Sequence, residues 1–583
     1  MSVPIRRWSW SLPAVVGADP LPGLNLPLPL RCLLQRRGFS TESAAESMLN
    51  PMDLPDPSEH FPDLEEALVR LERSCRLGEK VAICGDYDAD GMTSTALLLR
   101  ALTALGADPV PAIPCRMEDG YGLNRGMVET LHEQDIQVLV TVDNGIASHD
   151  GVSYSNTRNI DVIVTDHHLP GAQLPDACAI VNPNQVDCQF PCKSLSGCGV
   201  AFYVLLALRS KLLSLSWFDK QGIVVPNMAD YLDLVALATV ADLVPMSHNN
   251  RILTQQGIER IRKSISRPGI RALMAIANID HTRIQTTDFG YKIAPRLNAA
   301  GRLKDMSIGV KCLLADSHDE ALQYAKQLDQ LNQERKMIEA NMKNDAIAII
   351  DHIGDIDQQT GICLFDDGWH EGVIGIVASR LKEAFYQPIA VFTATDTPGV
   401  IKGSLRSVTG INLKELLNRI QQANPDIMLQ FGGHAMAAGI SMKQANFNTF
   451  SDLFQQEVAK LADYLIQRPI MTDGELPLSH LTLSFANQLV LNYPWGQAFP
   501  QPIFEQWFSI KHQSIIAHKH LKLLLQLPAA PSNVFEAICF NIDLKQWPDQ
   551  TCGPVKIMYH LSCNCYKGCE KIQLIVMNLD KHV

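Results

Sequence analysis

Three short apolar runs, each ending in an aspartate, most constrain the fold of this chain. They read VAICGD at 81–86, VLVTVD at 138–143 and DVIVTD at 161–166. Runs of this length are typical of strands buried in a parallel sheet, and the helical stretch TSTALLLRALTALG after the first run indicates βαβ units. Ligands bind at the carboxyl ends of such strands, so we expect the three aspartate turns to meet at one edge of a doubly wound α/β sheet.

The chain has 583 residues, which is too long for a single hydrophobic core. Residues 315–350 lack glycine and proline and have helical apolar spacing, which predicts a long helix between two domains. Short strand-like runs dominate after 470, LTLSF at 481–485 among them, and predict a small OB-like β-barrel. The predicted domains are a parallel-sheet α/β domain at 50–314, the connecting helix at 315–350, a second α/β domain at 351–468, and the barrel at 469–583.

Residues 1–49 are basic and then apolar, with several prolines among the first thirty residues. We interpret them as an extended leader that packs on the body and not as a signal peptide. No membrane span is expected. The cysteines are odd in number and scattered along the chain, which indicates reduced thiols of a cytoplasmic protein. LSCNCYKGCEK at 561–571 lacks the CxxC spacing of a zinc site and predicts a hairpin carrying Cys563, Cys565 and Cys569. The net charge of −12 argues against a non-specific nucleic-acid coat protein.

Four segments carry candidate metal ligands: GDYDADG (85–91), TVDNG (141–145), TDHH (165–168) and ATVADLVP (238–245). A single aspartate after a strand is usually a helix cap or a turn residue. Several such aspartates with one imidazole form a donor set that suits Mn²⁺ or Mg²⁺ better than Zn²⁺. Two such ions activate a water and stabilise an in-line phosphoryl displacement. The predicted ligands are Asp88, Asp90, Asp143, His167 and Asp242, with Asp86 as a further candidate.

In this order the motifs resemble the DHH phosphoesterase superfamily and, within it, the RecJ family of exonucleases. Further segments that carry the resemblance are GCGVAFYVLLAL (197–208), YKIAPRLNAAGRL (291–303), HEGVIGIVASRLKE (370–383), KGSLRS (402–407) and FGGHAMAAG (431–439). The resemblance implies a DHH catalytic domain, a second domain of the DHHA1 type and an OB-like barrel. It also implies that Asp143 bridges two metal ions and that His168 contacts the scissile phosphate.

Fixed positive charge and small residues near the metals indicate a nucleic-acid substrate, because arginine binds a phosphate in a bidentate manner and small residues let backbone amides approach it. Each arginine could instead form a surface ion pair. The resemblance implies a 5′-phosphate pocket at Arg116, Ser404 and Arg406, and a contact near the scissile phosphate at Arg302. The further candidates are Arg296 and His434. Leu405 stands where the family has a small residue, so its effect on the pocket is open.

The resemblance implies a metal-dependent 5′→3′ exonuclease that hydrolyses single-stranded DNA to 5′-mononucleotides by two-metal in-line attack of water. It further implies a role in DNA repair and recombination, with a helicase and a single-strand-binding protein as partners of a monomeric enzyme. Two alternatives remain open: a different enzyme on the same scaffold, either a phosphodiesterase for very short RNA or cyclic dinucleotides or a small phosphatase, and a binding protein without activity. The strand-rich residues after 470 favour a long polymeric substrate.

Overall fold

The computed structural model describes residues 8–9, 20–49, 54–113, 122–353, 359–461, 468–469, 471–542, 544, 547–549, 553–566 and 568–580. It has a parallel-sheet α/β domain, a long helix, a mixed-sheet α/β domain and a closed barrel. The predicted fold class is therefore confirmed.

The first domain is built on a five-stranded sheet in which all strands are parallel, in the order β2-β1-β3-β4-β5. Its central strands are almost completely buried, as their apolar runs predict. The five strands are β1 (Lys80–Gly85), β2 (Asp108–Pro111), β3 (Val138–Val142), β4 (Asp161–Thr165) and β5 (Ala179–Val181).

Helices cover this sheet and extend the domain beyond it. They are α1 (Leu28–Arg36), α2 (Glu42–Leu49), α3 (Leu64–Leu77), α4 (Ala89–Leu105), α5 (Arg125–Glu133), α6 (His149–Thr157), α7 (Gly197–Ser214), α8 (Trp217–Gln221), α9 (Leu232–Ala241), α10 (His248–Arg262), α11 (Pro268–Ile276), α12 (Thr286–Asp288), α13 (Ala294–Leu303) and α14 (Ser307–Leu314). A π-helix, Phe289–Ile293, leads directly into α13. Helix α7 alone among the described helices has the length and composition of a membrane span, but 67% of that stretch is buried inside the protein, as in a core helix.

The leader is more helical than its prolines predict, because Leu28–Arg36 and Glu42–Leu49 form helices where we expected extended chain. Proline is tolerated in the first helical turn, and Pro29 occupies that position in α1. Leu30, Leu33 and Leu34 are buried in the main core. Residues 1–7 and 10–19 lie outside the described residues.

Helix α15 (His318–Ile353) has 36 residues and joins the first domain to the second. The second domain has a mixed five-stranded sheet in the order β9-β10-β8-β7-β6. Only β6 and β7 are parallel. Its strands are β6 (Ile362–Phe365), β7 (Ile389–Ala394), β8 (Val400–Arg406), β9 (Gln430–Gly433) and β10 (Ala437–Lys443), and its helices are α16 (Glu371–Phe385), α17 (Leu413–Ala423) and α18 (Phe447–Ala459).

The third domain is a closed barrel in the order β11-β12-β13-β15-β14. LTLSF does not form a strand: Thr482 caps the start of helix α19 (Leu483–Leu491) by accepting the Phe485 amide hydrogen at 3.3 Å, a local bond that overrides the β-like composition. The three cysteines of the last hairpin lie on β14 and β15. The strands are β11 (Phe504–Ile516), β12 (His520–Leu527), β13 (Ala530–Cys539), β14 (Val555–Tyr566) and β15 (Cys569–Asp580), and a short parallel pair joins Trp8–Ser9 to Arg468–Pro469.

Candidate metal centre and substrate site

The GDYDADG loop connects β1 to α4 and holds two aspartates by backbone hydrogen bonds. Asp88 caps α4, and its Oδ1 accepts the amide hydrogens of Asp90 at 2.8 Å and Gly91 at 3.1 Å. The Asp90 carboxylate in turn accepts the amide hydrogens of Gly197 at 2.7 Å and Cys198 at 2.9 Å. These two amides open α7, so the positive end of that helix faces the buried Asp90.

Asp143 follows β3 with a positive φ of 61° and is buried. His167 Nε2 lies 3.0 Å from an Asp143 oxygen and 3.6 Å from an oxygen of Asp242, which ends α9. A Cβ at Gly197 would lie 2.6 Å from the Asp143 Cβ, so only glycine lets α7 approach this closely. The parallel sheet and two helices therefore bring together side chains that are far apart in the sequence.

The structure brings all of the predicted metal ligands into one cluster. Three groups of side chains each have ligand atoms within 4.8 Å of one another. They are Asp86–Asp88–Asp143, Asp90–His167–Asp242 and Asp143–His167–His168. Asp86, which the sequence left undecided, lies in the first of these groups beside two predicted ligands.

Burial and mutual repulsion make these carboxylates hard to ionise without a cation. Burial, followed by the Asp88 charge, raises the pKa of Asp90 to about 7. Burial and neighbouring carboxylates likewise hold the pKa values of Asp143 and Asp242 well above the ordinary range, with Asp90 as the strongest charged neighbour of each. Burial lowers the pKa of His167 to about 4, so its imidazole is neutral at pH 7 and keeps a lone pair for a ligand.

His168 differs from His167 because its ring is hydrogen-bonded to the buried carboxylate of Asp166. Asp166 Oδ1 lies 2.8 Å from His168 Nδ1, and Asp166 also accepts the amide hydrogens of Ile146 at 2.9 Å and His167 at 2.7 Å. Burial lowers the pKa of His168, but the hydrogen bond and charge of Asp166 more than offset it, and the net shift is upward. Asp166 thus orients the second histidine and favours its cationic form at the edge of the carboxylate cluster.

The donor set fits two hard divalent cations. Carboxylate oxygens dominate, one neutral imidazole is available, and no thiol belongs to the three groups. Asp143 belongs to two of the groups, which is the position a bridging carboxylate requires. When bound, two such ions would supply a nucleophilic water and neutralise the charge of a phosphodiester.

Helix α13, which carries the NAAG sequence, supports the GDYDADG loop. Asn298 Oδ1 accepts the Ala89 amide hydrogen at 2.7 Å. A Cβ at Gly301 would lie 1.8 Å from the Tyr87 carbonyl oxygen, so the helix backbone packs directly on the loop. Sequence reasoning selected the arginines of this segment and missed the positioning role of Asn298, for which no local pattern gives a signal.

The two arginines of α13 have different surroundings. Arg302 Nη1 donates to the Gly372 carbonyl oxygen at 3.1 Å, so it reaches from the first domain to the start of α16 in the second. Arg296 instead forms an ion pair with Asp329 of α15, at 2.8 Å. The guanidinium of Arg302 therefore lies at the boundary of the two domains, whereas that of Arg296 is paired with the connecting helix.

The predicted phosphate pocket lies on β8 of the second domain. Strand alternation places Ser404 and Arg406 on one face and Leu405 in the core on the other, so Leu405 does not enter the pocket. Arg406 donates to the hydroxyls of Ser404 at 3.0 Å and Ser379 at 3.1 Å, and burial lowers its pKa. Among the described residues no carboxylate pairs with this guanidinium, so it presents an uncompensated positive charge.

The two other predicted substrate residues are His434 and Arg116. His434 is exposed in the turn between β9 and β10, where its amide donates to the Ala437 carbonyl oxygen at 2.8 Å. Arg116 lies outside the described residues, within the segment 114–121.

Comparison with known proteins agrees with this architecture. Family profiles match along the chain: the DHH family N-terminal domain at residues 80–239, the DHHA1 domain at 358–460 and the RecJ OB domain at 472–578. The single-stranded-DNA-specific exonuclease RecJ of Salmonella typhimurium is 43% identical over 95% of this chain and 96% of its own. This chain belongs to the RecJ family. The resemblance seen in the motifs is confirmed.

RecJ proteins of other bacteria give the same result. The Escherichia coli enzyme is 43% identical over 95% of this chain and 96% of its own length. The crystal structure of RecJ from Thermus thermophilus in complex with Mn²⁺ superimposes with a TM-score of 0.80 at 28% identity, covering 99% of this chain and 80% of that one. A structure of the same protein with Mg²⁺ has a TM-score of 0.75 at 27% identity and covers 99% of this chain and 79% of that one. A RecJ relative therefore holds either of the two metals that the donor set of this chain suits.

Proposed function

We propose that this chain is a metal-dependent exonuclease that hydrolyses single-stranded DNA from the 5′ end and releases 5′-mononucleotides. The observation that carries the proposal is the convergence of five aspartates and two histidines into overlapping groups within a RecJ-family fold. The family relatives are named for their specificity for single-stranded DNA. The cofactor is a pair of Mn²⁺ or Mg²⁺ ions, held by Asp86, Asp88, Asp90, Asp143, His167 and Asp242.

The protein residues have separate tasks in this proposal. Asp143 would serve as the ligand shared by the two ions, and His168, whose pKa the hydrogen bond and charge of Asp166 raise, would stabilise negative charge on the scissile phosphate. Arg302 at the domain boundary contacts the same region of the substrate. Ser404 and Arg406 bind the 5′-terminal phosphate, with Arg116, Arg296 and His434 as further contacts to the strand.

The proposed 5′→3′ polarity rests on the placement of the 5′-phosphate pocket and the carboxylate cluster in different domains. A 5′-phosphate bound on β8 of the second domain would direct the first phosphodiester toward the carboxylate cluster of the first domain. The hydrogen bond from Arg302 to the Gly372 carbonyl oxygen joins the two domains. A terminal phosphate is available only at a chain end, so the pocket favours removal of terminal nucleotides over internal cleavage.

The proposed biological setting is DNA repair and recombination in the cytoplasm. The enzyme would act as a monomer on strands that a helicase exposes and that a single-strand-binding protein occupies. Sedimentation of the purified chain tests the monomer, and pull-down with a purified single-strand-binding protein tests that contact.

The test of the function is digestion of 5′-labelled and 3′-labelled single-stranded and duplex DNA with Mn²⁺. We expect the 5′ label to appear first as a mononucleotide, little cleavage of the duplex, and no activity after chelation. The D143A variant should lose activity by at least about a thousandfold, because the shared ligand of both ions is removed. A 3′-first product pattern, or wild-type activity of D143A, would contradict the proposal.

A further inference from the structure

The metal site is closed on one side and open on the other. The side chain of Asp143 is only 3% exposed, whereas those of Asp242 and His168 are 25% and 38% exposed. Asp90 is buried beneath the start of α7. A phosphodiester therefore approaches the ligands from the side of Asp242 and His168.

The residue that follows each of these two open side chains is an exposed leucine. Leu169 follows His168 and is 65% exposed, and Leu243 follows Asp242 and is 68% exposed. Single exposed leucines are common on protein surfaces and need no explanation. These two differ because they follow neighbouring residues of one site: Asp242 contacts His167, and the His167 ring lies 4.6 Å from the His168 ring.

The backbone of Leu243 adds a second observation. Asp242 ends α9, and Leu243 comes next with φ of 58°, in the left-handed region. Glycine or asparagine usually occupies that position after a helix, because a β-carbon is strained there. A leucine that is mostly exposed gains little burial to offset the strain, so the fold alone does not favour leucine at this position.

We propose that Leu169 and Leu243 form an apolar rim that contacts the nucleobase beside the scissile phosphodiester. The occupant is a base and not a protein or lipid, because the rim adjoins the ligands that would hold the phosphodiester, and a base adjoins every phosphodiester in DNA. A base face is apolar, so an aliphatic side chain that covers it buries apolar surface whatever the hydrogen-bonding edge of the base. The rim therefore contacts an unpaired base whatever the identity of that base.

This inference rests on the proposed function and goes beyond it by naming residues that select the substrate. A base in a duplex is stacked and paired, so it cannot lie flat on the rim without being opened. The rim thereby contributes to the preference for single strands at the point of cleavage. Leu243 does so at a strained backbone position directly after Asp242.

The experiment compares 5′-phosphorylated single strands that carry an abasic nucleotide at position 1, 2 or 6 with the intact strand, in Mn²⁺. For the wild type we expect an abasic nucleotide at position 1 or 2 to lower kcat/KM for the first cleavage about tenfold, the size of one apolar contact, and position 6 to have no effect. The L243G and L169A variants should lose about tenfold on the intact strand and discriminate little against the abasic one. L77A serves as the control, since Leu77 is 53% exposed at the opposite edge of the sheet, before β1 begins.

The melting temperature separates this role from a structural one. Because glycine relieves the left-handed strain, L243G should melt at or above the temperature of the wild type while losing activity. The proposal is overturned if abasic nucleotides at positions 1 and 2 leave the kcat/KM of the wild type unchanged. It is also overturned if both variants discriminate against these abasic strands as strongly as the wild type does. If the wild type digests no single-stranded DNA under any metal condition, the proposed function itself is wrong. Digestion with unchanged discrimination overturns only the rim.

Discussion

Asn298 accepts the amide hydrogen of Ala89 at 2.7 Å, across 209 residues of sequence, and thereby joins α13 to the loop that carries Asp88 and Asp90. The bond is made at the first residue of α4, next to a predicted ligand. Because the amide at a helix start has no partner within the helix, losing the acceptor leaves a donor unsatisfied and frees the loop.

We expect N298A to require more Mn²⁺ than the wild type and to lose about tenfold or more in activity at low metal, as is usual when a group that supports a metal site is removed. A Mn²⁺ titration of the initial rate checks this. N298D is the matched control, since its carboxylate oxygen can accept the same hydrogen bond and should restore part of the lost affinity. Equal Mn²⁺ midpoints for N298A and the wild type would contradict the positioning role.

Gly301 lies on the same helix, and we expect its replacement by alanine to destabilise the protein, the opposite of the usual effect in a helix. Glycine to alanine within a helix normally stabilises by up to about 1 kcal/mol. At Gly301 the added Cβ would lie 1.8 Å from the Tyr87 carbonyl oxygen, so G301A must displace the GDYDADG loop. We expect a lower melting temperature and a loss of activity of about a hundredfold or more, on the scale of displaced catalytic groups.

The control for this substitution is G290A in the preceding π-helix, where the nearest atom to a new Cβ is Val240 Cγ1 at 3.7 Å, an ordinary contact. It should keep most of the activity of the wild type. If G301A and G290A behave alike, the close packing of α13 on the loop does not determine the geometry of the site.

Local pattern predicted the fold and the side chains that the structure gathers into one cluster, and the reason is physical. Each ligand follows an apolar strand or helix whose periodicity is visible in the sequence, and a parallel sheet brings its carboxyl ends together without further information. The supporting contacts were not predictable in this way. Asn298 and Gly301 act on atoms about two hundred residues away, and nothing in NAAG itself indicates a helix that packs on a loop.

The errors in element type had local causes. LTLSF has the composition of a strand, but the bond from Phe485 to the Thr482 hydroxyl starts a helix there. Proline in the leader suggested extended chain, yet Pro29 falls in the first turn of α1, where its missing amide hydrogen costs nothing. A side-chain cap and a proline at a permitted position each outweighed the average propensity of the segment.

The stability of the metal-free protein should fall as the pH rises. The pKa of Asp90 is about 7 in the folded chain against an ordinary value of 3.8, so the folded state holds a proton that the unfolded state releases. The loss of stability begins above the ordinary value and is complete once the pH has passed about 7, at up to about 1.4 kcal/mol per pH unit for each such group. The raised pKa values of Asp143 and Asp242 act in the same direction, and these three carboxylates outnumber His167, whose lowered pKa of about 4 opposes them below pH 6.5.

Melting temperatures between pH 5 and pH 8 in a chelator, and again in excess Mn²⁺, check this prediction. In chelator the melting temperature should decrease with pH. With Mn²⁺ the decrease should vanish or reverse, because ionised carboxylates bind the cation. D90N removes one of the titrating groups and should flatten the curve in chelator. A curve in chelator that is level over this range would show that the carboxylates are not coupled to folding as described.

The buried pair of Asp233 and Arg267 should matter for stability. Both side chains are almost inaccessible, and the guanidinium Nε lies 3.0 Å and 2.9 Å from the two carboxylate oxygens. D233A leaves the arginine charge buried without its partner, which typically costs about 3–5 kcal/mol. Denaturant unfolding of the first domain measures this cost. D230A is the control, because it removes a half-exposed partner of Arg260, a pair worth about 1 kcal/mol or less. Equal costs for D233A and D230A would contradict the assignment.

Arg406 provides the sharpest test of how the chain end is bound. Its guanidinium is largely buried, donates to Ser404 and Ser379, and has no carboxylate partner among the described residues. We expect R406A to lose about a hundredfold in kcat/KM on 5′-phosphorylated strands, the scale of a charge-assisted bidentate contact, and little on strands that end in a 5′-hydroxyl. R406K should recover only part, because a lysine cannot form two parallel bonds to the phosphate. R419A, on an exposed arginine paired with Glu457, is the control. Equal losses on phosphorylated and hydroxyl ends would place Arg406 outside the 5′-phosphate pocket and assign it to the packing of β8 against α16.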